Sequence, residues 1–241
     1  IVMSVMNGFR SELVNKITGF NPHVVVKPYE RPLEKILFKD IKLKKIANKI
    51  ILSNNSEGVI INKDYTKGIL LRGYSKKSFK KLDIVNNKNY SGNKDINIKH
   101  ISIGKELSLN LNLKIGDKVL IMSPSGVRTI VGNFPKQETY IIDSVFDSGL
   151  ADFDLNVAFI NIEDLESLFN LNPDSRFLEI YLKKPSDINF ARLEIQKIFS
   201  NEFIYTWADM NSSLFSALKV ERNVMFIILS LIIIVAAFNI I

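Results

Sequence analysis

The sequence predicts an α+β domain flanked by transmembrane helices. One observation is the C-terminal run of residues 224–241, in which only Ser230 and Asn239 are not apolar. The other is the long preceding stretch, where segments rich in β-branched residues alternate with segments that carry apolar residues at helical spacing. Because strand-like and helix-like patterns are mixed along that stretch, we expect a single α+β architecture.

The composition of the 241 residues excludes several classes of protein. Hydrophobic residues make up 46%, which is enough for a packed core and excludes a disordered chain. Cysteine is absent, so disulfides, thiolate metal ligands and thiol nucleophiles are excluded. Residues 1–120 hold 23 Lys and Arg against 10 Asp and Glu, but the runs at 42–45 and 76–81 have few aromatics between them. A solvated lysine-rich face is the favoured interpretation, and we expect no nucleic-acid partner.

Both ends of the chain indicate a membrane. Eighteen helical residues span about 27 Å, close to the hydrocarbon thickness of about 30 Å. A buried core helix normally has a polar stripe, which residues 224–241 lack, and charged residues at 219–222 suit a membrane boundary. Ile1–Met6 is typical of the last turns of an earlier span, without the basic start of a signal peptide. We therefore expect a piece of a longer membrane protein, looping out between two spans.

The first half of the loop is predicted in order along the chain. Met6 to Phe20 has helical apolar spacing, and Gly19 is a candidate end of that helix. The further predicted elements are a strand at Val24–Lys27, an amphipathic helix at Asp40–Ile50, strands at Gly58–Asn62 and Gly68–Tyr74, and a loop with short strands over 76–99. Residues 107–115 are ambiguous, because their leucines alternate as in a strand while Leu107 and Leu111 also fit a helix.

The second half has clearer boundaries. The predicted strands are Lys118–Ser123, Tyr140–Asp147, Leu155–Ile160, Phe177–Leu182 and Phe203–Thr206. A helix capped by Asn161 is expected to run to Asn170, and another capped by Ser186 to run to about Ser200. Asp209 is expected to cap a helix that continues directly into the membrane span at Val224.

The residues of common catalytic sites are not arranged for catalysis in this sequence. A phosphate-binding G-x-x-x-x-G-K-[ST] loop, G-x-S-x-G and G-x-G-x-x-G do not occur. His23 and His100 have no acidic partner pattern, and Asp152-Phe153-Asp154 alone is a weak metal signal. We expect no enzymatic activity, no cofactor and no metal.

The segment 124–139 is the strongest candidate for a functional surface. Pro124, Gly126, Gly132 and Pro135 punctuate it, and apolar residues lie between them. A connection of this length is usually functional or disordered, and its apolar residues argue against disorder. Two alternatives remain from the residues alone. The segment is a protruding hairpin that docks a partner, or Ile130 and Phe134 fold back onto the domain.

Several motifs resemble the permeases of lipoprotein-releasing ABC transporters, the LolC/LolE family. The matching residues are Ser4–Phe9, Glu12-Leu13, Gly19, Pro22, His23, Ile115–Val119, Asn161–Asp164, Leu214–Leu218, Glu221–Met225 and Ala236–Ile240. The resemblance covers nearly the whole chain, with the strongest matches at its two ends. Gly132, Pro135 and Gln137 also match the G-x-x-P-x-Q pattern of the projecting "hook" of LolC-type subunits, which LolE-type subunits lack.

The resemblance implies a MacB-like periplasmic domain of an inner-membrane permease. The expected organisation is the end of a first span at residues 1–6, a periplasmic domain at 7–223 and the start of a second span at 224–241. Within the domain, a mixed α/β part of about 7–75 and 155–223 would enclose a β-rich part of about 76–154, with the hook at 124–139. The resemblance also favours a short helix near Gly104–Leu111 over a strand.

The resemblance also implies partners and sites. The hook would bind the periplasmic chaperone LolA through Val127, Arg128, Thr129, Ile130, Val131, Gly132, Asn133, Phe134, Pro135, Lys136 and Gln137. Lipoproteins would contact Met3, Met6, Phe9, Met225 and Ile228. An ATPase subunit of the LolD type and a second permease, of the LolE type or a second copy, would complete the transporter. The alternatives are another MacB- or FtsX-type permease and an extracytoplasmic sensor domain.

Overall fold

Ten strands are joined by hydrogen bonds into one network in the computed structural model, which describes residues 8, 12, 16, 18–29, 32–33, 41–63, 65–129 and 132–240. The strands within these residues are β1 (Val24–Lys27), β2 (Ala47–Asn62), β3 (Tyr65–Tyr74), β4 (Ser91–Gly92), β5 (His100–Gly104), β6 (Lys118–Thr129), β7 (Gly132–Phe146), β8 (Val157–Asn161), β9 (Phe177–Leu182) and β10 (Phe203–Thr206). The helices are α1 (Ile41–Ile46), α2 (Lys76–Phe79), α3 (Lys105–Asn110), α4 (Ala151–Asn156), α5 (Ile162–Phe169), α6 (Ile188–Ile198), α7 (Trp207–Met210) and α8 (Ser212–Ile240). The predicted α+β class is confirmed.

Six of the strands form a closed ring. β2 pairs with β3, β3 with β8, β8 with β5, β5 with β7 and β7 with β6. β6 then returns to β2, where Ile121 lies opposite Ile60. Buried side chains from all six strands meet in one cluster, which includes Ile60, Leu71, Ile101, Ile121, Ile142 and Ile160. The ring therefore has a hydrophobic core of its own.

Strands β10, β1 and β9 form an open sheet with the first part of β2, in the order β10-β1-β9-β2. The first part of β2, Ala47–Ser53, pairs with β9, and its later part enters the ring. Helices α1 and α6 contribute Leu43, Ala191 and Ile195 to a second buried cluster with Val24 and Ile180 of the sheet. β2 thus belongs to both the open sheet and the ring.

Helix α5 lies against the ring and contacts β2, β3, β6, β7 and β8. Asn161 is its N-cap, as predicted, and accepts a hydrogen bond from the Glu163 backbone N–H. Asn170 ends the helix in the left-handed conformation, with φ of 52°. The helix packs closely because Gly58 and Gly73 face it, where an added Cβ would lie 2.8 Å from Phe169 and Leu165 atoms respectively.

The helix predicted at Asp40–Ile50 is wrong in its second half. Residues 41–46 are helical, but Ala47–Ile50 already belong to β2 and pair with β9. The pattern of apolar residues separated by lysines fits either a helix or a strand. The hydrogen-bonded pairing with β9 makes these residues a strand. Asp40 lies outside the described residues. The strands predicted at Gly58–Asn62 and Gly68–Tyr74 are confirmed as parts of longer strands.

The ambiguity at residues 107–115 is resolved in favour of a helix at Lys105–Asn110. Leu107 and Leu111, spaced by four residues, are buried in the ring core, whereas Leu109 is 66% exposed. The strand predicted from Leu155 is wrong at its start, because α4 continues to Asn156. The predicted loop 76–99 contains α2 and a 3₁₀ turn, and its Phe79, Leu82, Val85 and Ile96 are buried in a third cluster.

Three predicted helix boundaries also differ from the structure. Gly19 does not end the N-terminal helix, since residues 18–20 are all helical; Met6 lies outside the described residues. The N-cap position of α6 is Asp187 instead of Ser186, because Pro185–Asp187 forms a 3₁₀ turn first. Asp209 is the third residue of α7 and forms a capping box with the N-cap Thr206.

Helix α7 ends at Met210 and α8 begins at Ser212, so the expected single helix into the span is two helices. The strands at Val24–Lys27, Phe177–Leu182 and Phe203–Thr206 are confirmed with the predicted bounds. The division into parts of about 7–75 with 155–223 and about 76–154 stays a prediction.

We predict that Gly104→Ala destabilises the fold by about 1–3 kcal/mol through overpacking. An added Cβ at this position would lie 2.0 Å from the Asp154 carbonyl oxygen, so β5 and α4 would have to separate. Gly68→Ala is the matched control, because no atom lies within 4 Å of its added Cβ. Urea unfolding of both variants measures the difference, and equal midpoints would contradict the packing argument.

Candidate functional site

The segment singled out at 124–139 is the outer part of a long hairpin formed by β6 and β7. Val127 pairs with Phe134, Arg128 with Asn133 and Thr129 with Gly132. The predicted strands Lys118–Ser123 and Tyr140–Asp147 therefore extend far into the segment that lacked a clear sequence pattern. Ile130 and Val131, at the turn, lie outside the described residues.

The two prolines lie where the pairing of the hairpin changes register. Ser123 pairs with Lys136 and Val127 pairs with Phe134, so three residues of β6 face the single residue Pro135 of β7. Pro124 lies in this bulge. Proline has no N–H to donate to a ladder, so a bulge is one of the few places in a strand pair that accept it. The residues that made the segment look irregular thus mark a bulge within one hairpin.

The outer hairpin continues beyond the ring as a two-stranded ribbon. β6 contacts β2 only at Leu120–Met122, and β7 contacts β5 only from Ile141 onward. Among the described residues, no third strand pairs with the hairpin between Ser123 and Thr139. Two-stranded hairpins of this kind have backbone edges on which a partner can add a strand.

The exposure of Phe134 distinguishes the two alternatives left open by the sequence for this residue. Its side chain is 57% exposed, so it does not fold back onto the domain. Pro135 and Gln137 are exposed as well, and the Gln137 side-chain amide lies 3.5 Å from the Met122 sulfur. An exposed aromatic residue on a ribbon is a feature of surfaces that bind other proteins.

Lys136 fixes the base of the ribbon to helix α5. Its Nζ donates a hydrogen bond of 2.7 Å to the Ser167 carbonyl oxygen. Ser167 lies in the last turn of α5, where carbonyl groups have no partner within the helix and carry the negative end of the helix dipole. The Lys136 ammonium group of β7 therefore donates to the Ser167 carbonyl and also interacts favourably with the negative end of the helix dipole.

Glu138 holds a second connection at the ribbon base. Its carboxylate accepts hydrogen bonds from Lys99 Nζ and from the Tyr140 hydroxyl, and Lys136 Nζ lies 3.4 Å away. Burial acts to raise the pKa of Glu138, but Lys99 and Lys136 outweigh it and lower that pKa. The carboxylate is therefore ionised at neutral pH and holds both lysines at the base.

Lys99 also links the base to the start of α5. Its backbone N–H donates a 2.6 Å hydrogen bond to the Asp164 carboxylate, and its φ is +60°. Burial raises the pKa of Asp164, and the bond from Lys99 opposes this change. No sequence motif connects Lys99, Lys136 and Asp164, because they come together only when β5, β7 and α5 pack.

Helix α8 is the second candidate site. Val220–Phe238 has a mean hydropathy of 2.2, is long enough to cross a membrane and is not buried against the rest of the described chain. Ser230 donates its hydroxyl proton to the Phe226 carbonyl oxygen at 2.8 Å, which satisfies the hydroxyl within the helix. An apolar helix that is exposed all round needs lipid or other helices around it.

The predicted lipoprotein-contacting residues are only partly placed. Met225 and Ile228 are three residues apart on α8, so they lie on the same face of the helix. Ile228 is 45% exposed. Met3, Met6 and Phe9 lie outside the described residues.

Comparison with curated proteins finds LolC sequences along the whole chain. LolC of Buchnera aphidicola subsp. Schizaphis graminum, named a lipoprotein-releasing system transmembrane protein, is 28% identical over 100% of this chain and 60% of its own length. LolC of Neisseria meningitidis serogroup B is 25% identical, with the same coverage. The expected resemblance to LolC-type permeases is confirmed. The chain spans about 60% of the length of these LolC relatives, and no family model matches it.

A solved structure similar to this chain is the periplasmic region of MacB from Actinobacillus actinomycetemcomitans. The TM-score is 0.48 and the sequence identity 9%, with 84% of this chain and 97% of that chain covered.

We predict that Lys136→Met loosens the ribbon without unfolding the domain. The variant loses the hydrogen bond to Ser167 and the ion pair with Glu138. Each such partly exposed contact is worth about 1 kcal/mol or less, so amide exchange within 132–140 should accelerate while exchange in β3 stays unchanged. Lys118→Met is the control, since Lys118 is an exposed lysine of the same hairpin. Unchanged exchange in the Lys136 variant would show that the ribbon is fixed by other contacts.

Proposed function

We propose that this chain is the periplasmic domain and membrane-entry helix of a LolC-type permease subunit in the bacterial inner membrane. The observation that carries the proposal is the hairpin ribbon. A chain related to LolC along its entire length has an exposed β-hairpin at the position of the G-x-x-P-x-Q motif. The apolar helix α8 supports the membrane location.

In this proposal the transporter extracts lipoproteins from the inner membrane and passes them to a periplasmic chaperone of the LolA type. Removing an acyl chain from a bilayer costs about 0.8 kcal/mol per CH₂ group. A lipoprotein with three chains therefore requires an external energy source. The 241 residues contain no phosphate-binding lysine loop. We accordingly propose that a separate ATPase of the LolD type supplies the energy and that this chain is not an enzyme.

A second permease subunit completes the proposed transporter. It is either a LolE-type protein or a second copy of this one. The hairpin motif favours the LolC role for this chain, because the ribbon is the element that the chaperone would bind.

The chaperone contact is proposed to depend mainly on apolar surface. Phe134 is exposed at the register change of the ribbon, next to the exposed Pro135. Lys136 and Glu138 lie beside them, but Glu138 is paired with both Lys99 and Lys136, and Lys136 also donates to the Ser167 carbonyl, so both side chains are already engaged within the domain. A rigid base and an exposed aromatic residue give a preorganised docking element, which lowers the entropy cost of binding.

We predict that Phe134→Asp reduces capture of the LolA-type chaperone by at least about tenfold, as expected when a central aromatic contact worth about 2 kcal/mol is lost. The measurement is co-purification of the chaperone with the permease complex in detergent. Circular dichroism should show an unchanged fold, because Phe134 is exposed and outside the three buried clusters.

Leu109→Asp is the matched control for Phe134→Asp. Leu109 is 66% exposed and lies on α3, away from the ribbon. Equal capture by both variants would reject the ribbon as the chaperone site. Loss of capture in both would indicate a general loss of apolar surface or of folding.

The lipoprotein contact is proposed for the face of α8 that carries Met225 and Ile228. Successive helical residues are rotated by about 100°, so Ile227 points to a different side of α8. Ile227 is 57% exposed and lies at nearly the same membrane depth.

We predict that a photo-crosslinking residue at 225 or 228 captures lipoprotein before ATP is added and loses it after turnover. The same residue at 227 should give weaker capture, because it faces away from the proposed path. Equal crosslinking at all three positions would contradict a face-specific contact and would indicate contact with bulk lipid.

A further inference from the structure

His23 lies between the N-terminal helix, whose described end is residues 18–20, and strand β1. Its side chain is 5% exposed. The Nδ1 atom accepts a 2.8 Å hydrogen bond from the Leu182 backbone N–H, and Nε2 lies 2.9 Å from the Thr18 carbonyl oxygen. Since Leu182 N–H is a donor, the ring proton is on Nε2 and is donated to Thr18.

The surroundings of His23 favour this neutral form. Burial lowers the pKa of the imidazole, and the positive charge of Lys49 acts in the same direction. The Thr18 carbonyl and the charge of Asp83 oppose the change without reversing it. The Tyr181 ring packs edge-on at a centroid distance of 6.0 Å.

The backbone of His23 adds two further connections. Its N–H donates to the Ile180 carbonyl at 3.0 Å, and its own carbonyl accepts from the Trp207 N–H at 2.9 Å. Trp207 begins α7, and α8 follows after Asn211. One residue therefore contacts the end of the N-terminal helix, the central strand β9 and the start of the segment that leads to the membrane helix.

The hydrogen bond to Thr18 connects the last described turn of the N-terminal helix to the sheet. The same imidazole that donates to the Thr18 carbonyl also accepts from the Leu182 N–H of β9. The imidazole thus forms a rigid bridge between the last turn of the N-terminal helix and the sheet.

The bridge continues toward the hairpin through paired strands. Leu182 of β9 pairs with Ala47 of β2, and β2 pairs with β6 of the hairpin at residues 59–61. A second connection also reaches β9. The Asn21 side-chain oxygen accepts a hydrogen bond from Arg72, and the Arg72 guanidinium forms a 2.9 Å ion pair with Glu179 of β9. Both connections start directly after the N-terminal helix.

We propose that His23 is a positioning residue that couples movement of the N-terminal helix to the sheet and, through β2, to the hairpin. The coupling passes through the Nε2–H bond to Thr18. This inference rests on the proposed function, in which ATP hydrolysis moves the membrane helices and the periplasmic domain responds.

Two substitutions separate the two side-chain bonds of His23. The amide nitrogen of His23→Gln lies near the Nε2 position, so it keeps the donor to Thr18 and loses the acceptor for Leu182. The amide oxygen of His23→Asn lies near the Nδ1 position, so it keeps the acceptor and loses the donor. Amide exchange at Leu182 checks this assignment, and we expect faster exchange in the Gln variant only.

The test is lipoprotein release per ATP hydrolysed by the permease that contains this chain, reconstituted with its ATPase and chaperone. The Asn variant should still hydrolyse ATP, but the lipoprotein released per ATP should fall by at least about fivefold. A fivefold effect is the lower end of the range that is typical of coupling between two sites. The Gln variant should release at least half as much as wild type. His100→Asn is the control, because His100 lies in β5, away from the N-terminal helix, and its Nδ1 lies 2.9 Å from the carbonyl of the nearby Ile98.

The outcomes distinguish this inference from the proposed function. Wild-type release per ATP in the Asn variant would overturn the coupling role. Equal losses in the Asn and Gln variants, together with lowered melting temperatures, would also overturn it and leave His23 a purely structural residue. Failure of the wild-type permease to release lipoprotein would reject the proposed function, whereas chaperone capture should be normal in all variants.

Discussion

The structure depends on one strand that serves two sheets. β2 has 16 residues, and its first part pairs with β9 while its later part pairs with β6. β3 covers its other edge from Ser53 to Asn62. Because both neighbours hydrogen-bond to the same strand, the open sheet and the ring cannot rotate independently without breaking ladder bonds. The position of the hairpin relative to the open sheet follows from this strand.

A buried polar cluster lies where the two sheets meet. Glu179 of β9 accepts hydrogen bonds from Ser53, Arg72, Tyr74 and Tyr181, all at distances of 2.9–3.1 Å. Burial of a charge pair is costly unless every polar atom has a partner, and here the carboxylate is fully occupied. Burial acts to lower the pKa of Arg72, but the charge of Glu179, with Tyr74 and Tyr181, outweighs it and raises that pKa, so the ion pair persists. Burial raises the pKa values of Tyr74 and Tyr181, so both tyrosines stay protonated. Such a cluster favours one arrangement of β2, β3 and β9 over others.

The ribbon and the His23 bridge have a common physical basis. In each, a side chain from outside a helix donates to a carbonyl in the last turn of that helix. Lys136 binds the Ser167 carbonyl of α5, and His23 binds the Thr18 carbonyl. Helix ends offer these acceptors without breaking any bond of the helix. Both the ribbon and the start of the sheet are therefore joined to the rest of the domain at helix termini.

Local sequence determined the elements whose patterns have a single solution. The apolar run of α8, the strands Val24–Lys27 and Phe177–Leu182, and the Asn161 cap all follow from short-range chemistry. The position of the hairpin was also predictable, because its prolines and glycines punctuate an apolar segment. Tertiary structure decided the rest. Ala47–Ile50 became a strand because β9 lies beside it, and Lys105–Asn110 became a helix because the ring core buries Leu107 in the helix and Leu111 at its C-cap. Contacts of His23 with Leu182, and of Lys136 with Ser167, join residues 159 and 31 positions apart. No local pattern encodes such pairs, since they form only when separate elements pack together.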